Sequence, residues 1–292
     1  MSFLERLQHA PQKLVNTIRW QGNDSVAVLN WATEGIIAKN WGDKLNPYLA
    51  EHVSKKIIMH RSDVYPFGDK VVHYWIGSHL ATACSDTRSI VWGSGFISRD
   101  VPVRGVPRDI RAVRGWLSNR RLADLGVKAP NVVGDAALLL PRFFEPSRKY
   151  ERRSLGIIPH CFEWDVPFFV KSISWDDCRV IDICGDIEDV VEQIVACDKI
   201  VSSSLHGIIC ADAFGIPAIW LHASNRPKGD GFKFLDYFSS VGRPDQEPHM
   251  VRDDTTRKDL DGLFFDYRIQ IDLDALLERC PLLPAGTGSE RL

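Results

Sequence analysis

Eight short segments of this chain are apolar at consecutive rather than alternate positions, and each runs into small or polar residues followed by helical spacing. They fall at 26–29, 71–76, 89–92, 109–113, 155–159, 179–183, 199–202 and 217–221. A strand with one wet face alternates, whereas a strand covered on both faces does not. Alternation of such strands with helical patterns predicts parallel, doubly wound α/β sheets. The length of 292 residues allows about two domains at ~150 residues each. Between the fourth and fifth segments, PRFFEPSRKYERRS (141–154) carries two prolines, a charge run and no steady period, so it reads as a linker. The expected division is therefore 1–150 and 151–292, two α/β halves. In the second, Asp186 is expected to cap a helix whose Ile187, Val190, Val191, Ile194 and Val195 form a buried stripe. The last residues, PAGTGSERL, read as a frayed tail.

With 45% hydrophobic and 25% charged residues, disordered and fibrous classes are excluded. Seven cysteines, an odd number without a CxxC pair, argue against a zinc knuckle or a disulfide framework and for a reduced, cytoplasmic setting. No secretory signal opens the chain, and no uncharged apolar run approaches the ~20 residues of a membrane span. The net charge of -2 gives no general reason to expect nucleic-acid binding. It conceals two clusters: 12 bases against five acids over 104–153, and ten acids against two bases over 160–198. They are either solvated faces that attract each other or, for some of the arginines, part of a cleft for a small polyanion.

Five segments combine a strand end, a turn and residues suited to chemistry. Asn40-Trp41-Gly42-Asp43 precedes a helix, on the sheet edge where α/β proteins bind ligands; the plain alternative for Asp43 is a helix cap. Gly93-Ser94-Gly95 follows a strand and offers backbone amides to an anion or a sugar. Arg114 stands at a strand end beside a helix start, suited to a carboxylate or phosphate; its alternative is an ion pair with an acid of the charge clusters. Ser202-Ser203-Ser204 leads to His206 at a helix start, where the dipole favours neutral imidazole, able to donate a proton or position an oxyanion. Lys233, beside a Gly-Asp-Gly turn, is a point charge for phosphate or simply solvated. The other eight histidines read as surface or core residues.

In this order, NWGD (40–43), the glycine turn (93–95), VRG with Ser118, GDAALLLP (134–141), SSSLHG before ADAFGIPAI (202–219) and GFKFLDYFSSVG (231–242) resemble the polysaccharide pyruvyl transferase family, especially its exopolysaccharide ketal-forming members. The resemblance implies two Rossmann-like halves in a glycosyltransferase-B-like (GT-B-like) arrangement with the site between them. It implies transfer of the pyruvate unit of phosphoenolpyruvate to two hydroxyls of a sugar or lipid-linked oligosaccharide, releasing phosphate. It also implies His206, Asp43 and Arg114 as catalytic residues, with Asn40, Gly42, Gly93, Ser94, Gly95, Ser204 and Lys233 around the substrates. Many members carry an arginine at the position of Ser204, so Arg114, Lys233 or another arginine of the basic stretch is expected to supply that charge. No metal or cofactor is expected, and peripheral contact with membrane-bound polysaccharide assembly machinery is. The competing reading is a nucleotide-sugar glycosyltransferase, with Asp212 or Asp236 on the ribose hydroxyls; a non-catalytic assembly partner is a third.

Overall fold

The computed structural model of the chain describes residues 3–284. Its first half runs α1 (Phe3–Gly22), β1 (Val26–Leu29), α2 (Trp41–Ser54), β2 (Ile57–His60), β3 (Val72–Tyr74), α3 (Leu80–Cys84), β4 (Ser89–Trp92), β5 (Asp109–Ala112) and α4 (Trp116–Asp124). The second runs β6 (Leu155–Ile158), α5 (Pro167–Ser172), β7 (Cys178–Val180), α6 (Ile187–Val195), β8 (Ile200–Ser202), α7 (Leu205–Ala213), β9 (Ala218–His222), α8 (Phe232–Ser240) and β10 (His249–Met250), with α9 (Arg257–Asp261) and α10 (Leu273–Glu278) after it. Each half holds a five-stranded sheet, ordered β2-β1-β3-β4-β5 and β10-β9-β8-β6-β7. Every pairing is parallel. The chain is thus α/β with two Rossmann-like sheets.

All eight expected segments contain a strand. The two not foreseen, β2 and β10, each lie at one edge of their sheet, opposite β5 and β7: β2 is half-exposed along IIMH and β10 is two residues long. Asp186 caps α6 as expected, accepting from the amides of Glu188 and Asp189, and Val190, Val191 and Ile194 are buried beneath it. The expected tail lies outside the described residues from 285 onward. No helix among the described residues is long and apolar enough to cross a membrane.

Among the described residues, hydrogen bonds tie two helix pairs across the halves, and the 3-10 helix Ala136–Arg142 packs on α7. At the start of α2, the Trp41 amide donates to the Ile183 carbonyl (2.9 Å) and its indole to the Ile187 carbonyl (3.1 Å). Lys44 donates to the carbonyls of Cys184 and Gly185, and the Tyr48 hydroxyl to Glu188. At the second pair, α4 and α8, Asp236 accepts from Arg114 Nε (3.0 Å), the Ser118 amide (2.7 Å) and the Ser118 hydroxyl (2.7 Å), with Arg114 and Asp236 both fully buried. Gly115 makes the approach feasible, since a Cβ there would lie 1.7 Å from the Asp236 carbonyl oxygen. The chain then returns: the Trp92 indole donates to the Leu276 carbonyl (2.8 Å), and Leu276 and Ile271 cover Gly134, so α10 packs on the first half.

The opposite charge clusters partly satisfy each other, through Lys149 with Asp189 and Arg152 with Asp198. Deleting one partner of a buried pair strands the other charge, which costs about 3–5 kcal/mol, whereas replacing both by apolar groups is far milder. Asp236→Ala is therefore expected to lower the urea midpoint sharply and Arg114→Leu/Asp236→Leu to recover part of the loss. A wild-type midpoint for the single variant would contradict this role.

Candidate active site

Parallel sheets gather strand carboxyl ends and helix amino ends on one edge, where ligands bind. The turns on those edges carry Asn40 to Asp43, His79, Arg114, Glu163 and Ser203 to His206, and they meet at the seam between the halves. Helix α2 starts on Asn40, whose Oδ1 accepts from the Gly42 amide at 3.0 Å. The cap is thus Asn40, and Asp43, one turn on, is free of that duty. Its Oδ1 accepts from the Ala32 amide (3.0 Å) and faces His79 Nε2 at 3.4 Å. A Cβ on Gly42 would lie 2.2 Å from His206 Nδ1 and Cε1. Glycine at 42 therefore lets a helix of the first half rest on the imidazole of the second.

His206, in the first turn of α7, is buried, and its Nε2 has no hydrogen-bond partner among the described residues. Burial pushes its pKa down to about 4; Asp43 opposes the shift, while Arg114, Lys233 and His79 add to it. The ring is accordingly neutral at physiological pH. Lys233, in the first turn of α8, is 9% exposed and makes no hydrogen bond or ion pair among the described residues, though its ammonium lies over the Phe234 ring. Burial, then Arg114, lower its pKa to about 8, against Cys161, Glu163 and Asp43. It remains a cation at pH 7. Ser204 occupies the N-cap position of α7 without a side-chain bond to the helix, and Ser202 instead ties the turn through its hydroxyl.

Arg114 sits differently from an anion-binding arginine on an open wall. Besides Asp236, its guanidinium donates to the Ser78 hydroxyl (2.9 Å) and the Phe96 carbonyl (2.6 Å), so Arg114 is ion-paired, though with an acid outside the charge clusters where the pairing was expected. The turn 93–95 builds that seam: the Gly93 and Gly95 amides donate to the Ala112 and Gly77 carbonyls. Ser94 Oγ accepts from the His79 amide (3.0 Å), and a Cβ on Gly95 would lie 2.6 Å from Arg114 Cζ. Of the remaining basic stretch, Arg108, Arg111 and Lys128 line, with Arg279, a cleft of about 620 Å³ at the amino end of β5, the sheet edge opposite Asp43 and His79. Arg121 is bound to the carbonyls of Ser98 and Val101.

Two residues of the site escaped the sequence reading. His79 follows β3 as His206 follows β8, and its position two residues after Gly77 was the available signal. Glu163 lies in the turn after β6, fully buried, with Oε1 accepting from the Ser224 hydroxyl (2.6 Å) and Oε2 unpartnered. It stands in a solvent-exposed-looking acidic run, which hid it.

Two Rossmann-like sheets with histidine, carboxylate and lysine at their meeting edges have the plan of a group-transfer enzyme. The chain belongs to the polysaccharide pyruvyl transferase family, whose model matches residues 39–225 and so includes Asp43, Arg114, Glu163 and His206. It is 31% identical over 224 residues to "Succinoglycan biosynthesis protein ExoV" of Rhizobium meliloti (strain 1021), covering 73% of this chain and 66% of that one. It is 28% identical over 209 residues to "Uncharacterized protein L143" of Acanthamoeba polyphaga mimivirus, covering 70% of this chain and 71% of that one.

Gly42→Ala should cost about 1–3 kcal/mol by overpacking. Gly22→Ala, with nothing within 4 Å of its Cβ, serves as control in thermal unfolding. Equal melting of the two would remove the proposed contact. His206 takes up a proton near pH 4 when folded and near its ordinary 6.5 when unfolded, so between these values the unfolded state binds more protons. Stability is therefore full above pH 6.5 and falls on acidification toward pH 4, by up to about 1.4 kcal/mol per pH unit. His206→Asn should flatten this part of the stability curve, and an unchanged slope would mean that the imidazole is not buried neutral.

Proposed function

We propose that the chain is a ketal-forming pyruvyl transferase. It moves the pyruvate unit of phosphoenolpyruvate onto two hydroxyls of one sugar during assembly of an exopolysaccharide or other cell-surface polysaccharide. The two halves take a GT-B-like arrangement with the substrates between them. The observation that carries this reading is His206, a buried imidazole whose Nε2 has no hydrogen-bond partner among the described residues, sharing one electrostatic neighbourhood with Asp43, Lys233 and Arg114. Family membership and the name of the Rhizobium relative point the same way.

Phosphoenolpyruvate carries three negative charges near neutral pH and needs positive potential around it. The amino end of α7 with Ser204, the Lys233 ammonium and the field of buried Arg114 provide it. A bound anion offsets the depression that Arg114 and Lys233 impose on His206, so the imidazole gains proton affinity as the donor arrives. The proton required at the methylene carbon is then held beside it. In the reaction, C3 takes that proton and a sugar hydroxyl oxygen bonds to C2, its proton passing to Asp43, which His79 adjoins. The C2–O bond to phosphorus-bearing oxygen breaks, phosphate leaves with a proton, and the second hydroxyl closes the ketal as it gives up its own. Asn40 and Gly42 set the position of Asp43 and His206, and Gly93, Ser94 and Gly95 that of Arg114. The enol phosphate brings its own leaving group, so neither metal nor organic cofactor is called for. A lipid-linked acceptor would bring this cytoplasmic chain to membrane-bound assembly machinery.

The nucleotide-sugar reading needs an acid for the ribose hydroxyls. The two acids weighed for that role are engaged, Asp212 by Tyr237 (2.7 Å), Tyr267 (2.5 Å) and Arg243 (3.4 Å), and Asp236 by Arg114, which leaves Glu163 as the acid to be tested. Incubation with phosphoenolpyruvate and a panel of sugars, with mass spectrometry for the ketal and an assay for phosphate, tests the proposal. His206→Ala should lose on the order of 10²–10⁴ in rate. Wild-type turnover by that variant, or thermal stabilisation by UDP and not by phosphoenolpyruvate, would count against it.

A further inference from the structure

Beside the seam, at the carboxyl ends of β8, β9 and β10, lies a pocket of about 360 Å³ whose walls include Glu163, Ser203, Trp220, Ser224 and Lys233. Two buried residues of opposite charge line it without meeting. Glu163 is fully buried, with one carboxylate oxygen held by Ser224 and the other without a hydrogen-bond partner among the described residues, and Lys233 forms no ion pair with it. Buried charges in proteins are ordinarily paired or fully hydrogen-bonded, because leaving them bare is costly. A separated carboxylate and ammonium on one pocket are both satisfied by a molecule carrying hydroxyl donors for the first and oxygen acceptors for the second.

We infer that this pocket holds the acceptor sugar, with Glu163 accepting a hydrogen bond from one of its hydroxyls. The inference rests on the transferase reading above and adds to it the place and the chemical class of the second substrate, a neutral polyol. Charge separates it from the donor: a carboxylate oxygen has only lone pairs to offer, so it repels the phosphate and carboxylate of phosphoenolpyruvate and attracts a hydroxyl. The volume suits a hexose ring with room for a substituent. Trp220 and Phe234 stack with centroids 4.4 Å apart and planes 10° apart, which stiffens the wall. The loop over the pocket is fixed to the first half, through the Arg99 amide on Asp230 (3.2 Å) and the close approach of Gly229 to the Ile97 carbonyl. The pocket therefore keeps its register with the seam, and Lys233 stands between the two substrates.

Glu163→Gln keeps the size and removes the charge. In the full-length chain it is expected to raise the KM for the acceptor tenfold or more while that for phosphoenolpyruvate stays within twofold. Independently of turnover, saturation-transfer NMR with galactose, glucose, mannose and their methyl glycosides should show binding to the wild type that weakens at least tenfold in the variant. Thermal stabilisation by phosphoenolpyruvate should persist. If Glu163→Gln unfolds, Ser224→Ala, which removes the one side chain holding the carboxylate, is expected to raise the acceptor KM in a folded protein. Sugar binding that ignores both substitutions, no binding of any panel sugar by the wild type, or a loss confined to phosphoenolpyruvate would each overturn the inference. Ketal formation with an unaltered acceptor KM would leave the transferase reading intact without this pocket. Sugar binding lost in the variant without any ketal from the wild type would do the reverse.

Discussion

The structure turns on one ion pair removed from water. Arg114 belongs to the first half and Asp236 to the second, and neither side chain has any exposure. Burying two charges is favourable only when geometry and further hydrogen bonds offset their lost hydration. Here the offset is assembled from both sides: Ser118 gives Asp236 an amide and a hydroxyl, while the Ser78 hydroxyl and the Phe96 carbonyl accept from the two terminal guanidinium nitrogens. Two glycines, at 95 and 115, leave the space that the pair occupies. Burial lowers the proton affinity of His206 and Lys233, and the same guanidinium adds to it, so what locks the halves together also contributes to the charge balance of the cleft.

That double role accounts for the mixture of signs around the site. An arginine on the open wall would be hydrated and screened, whereas the field left over from a pair sealed in low dielectric is screened less. At Lys233, Glu163 and Asp43 oppose the lowering of proton affinity to which burial and Arg114 contribute. The large basic cleft at the amino end of β5 has more cations and none of this arrangement, and it lies on the wrong edge of the sheet for the strand ends that carry His79 and Arg114.

Interior strands were legible because both faces are covered, which forces consecutive apolar residues; of the four outer strands, which are covered only in part, β5 and β7 were legible, while half-exposed β2 and the two-residue β10 were not. The positions of Asp43 and His206 at strand-to-helix turns could be read from local pattern alone. Their neighbours could not. Asp236 lies 122 residues from Arg114, and no local signal joins them. Glu163 sits among ten acids over 160–198, where composition suggests a solvated face, and only the fold distinguishes it and Glu192 as buried. The helix cap shows the finer limit: Asn40 and Asp43 are both suitable types, and the extended backbone at Asn40 selects it.

Helix α10 carries a consequence for how the molecule is made. Its Leu276 carbonyl receives the Trp92 indole, and its side chains cover Gly134, so part of the first core is supplied by residues more than 180 positions away. Synthesis proceeds from the amino terminus, and domains generally fold as they emerge. Here the first sheet leaves the ribosome long before the segment that closes it. The nascent first half must wait, with Trp92 incompletely covered, until nearly the whole chain has been translated, and a message truncated before that point damages the end that was made first.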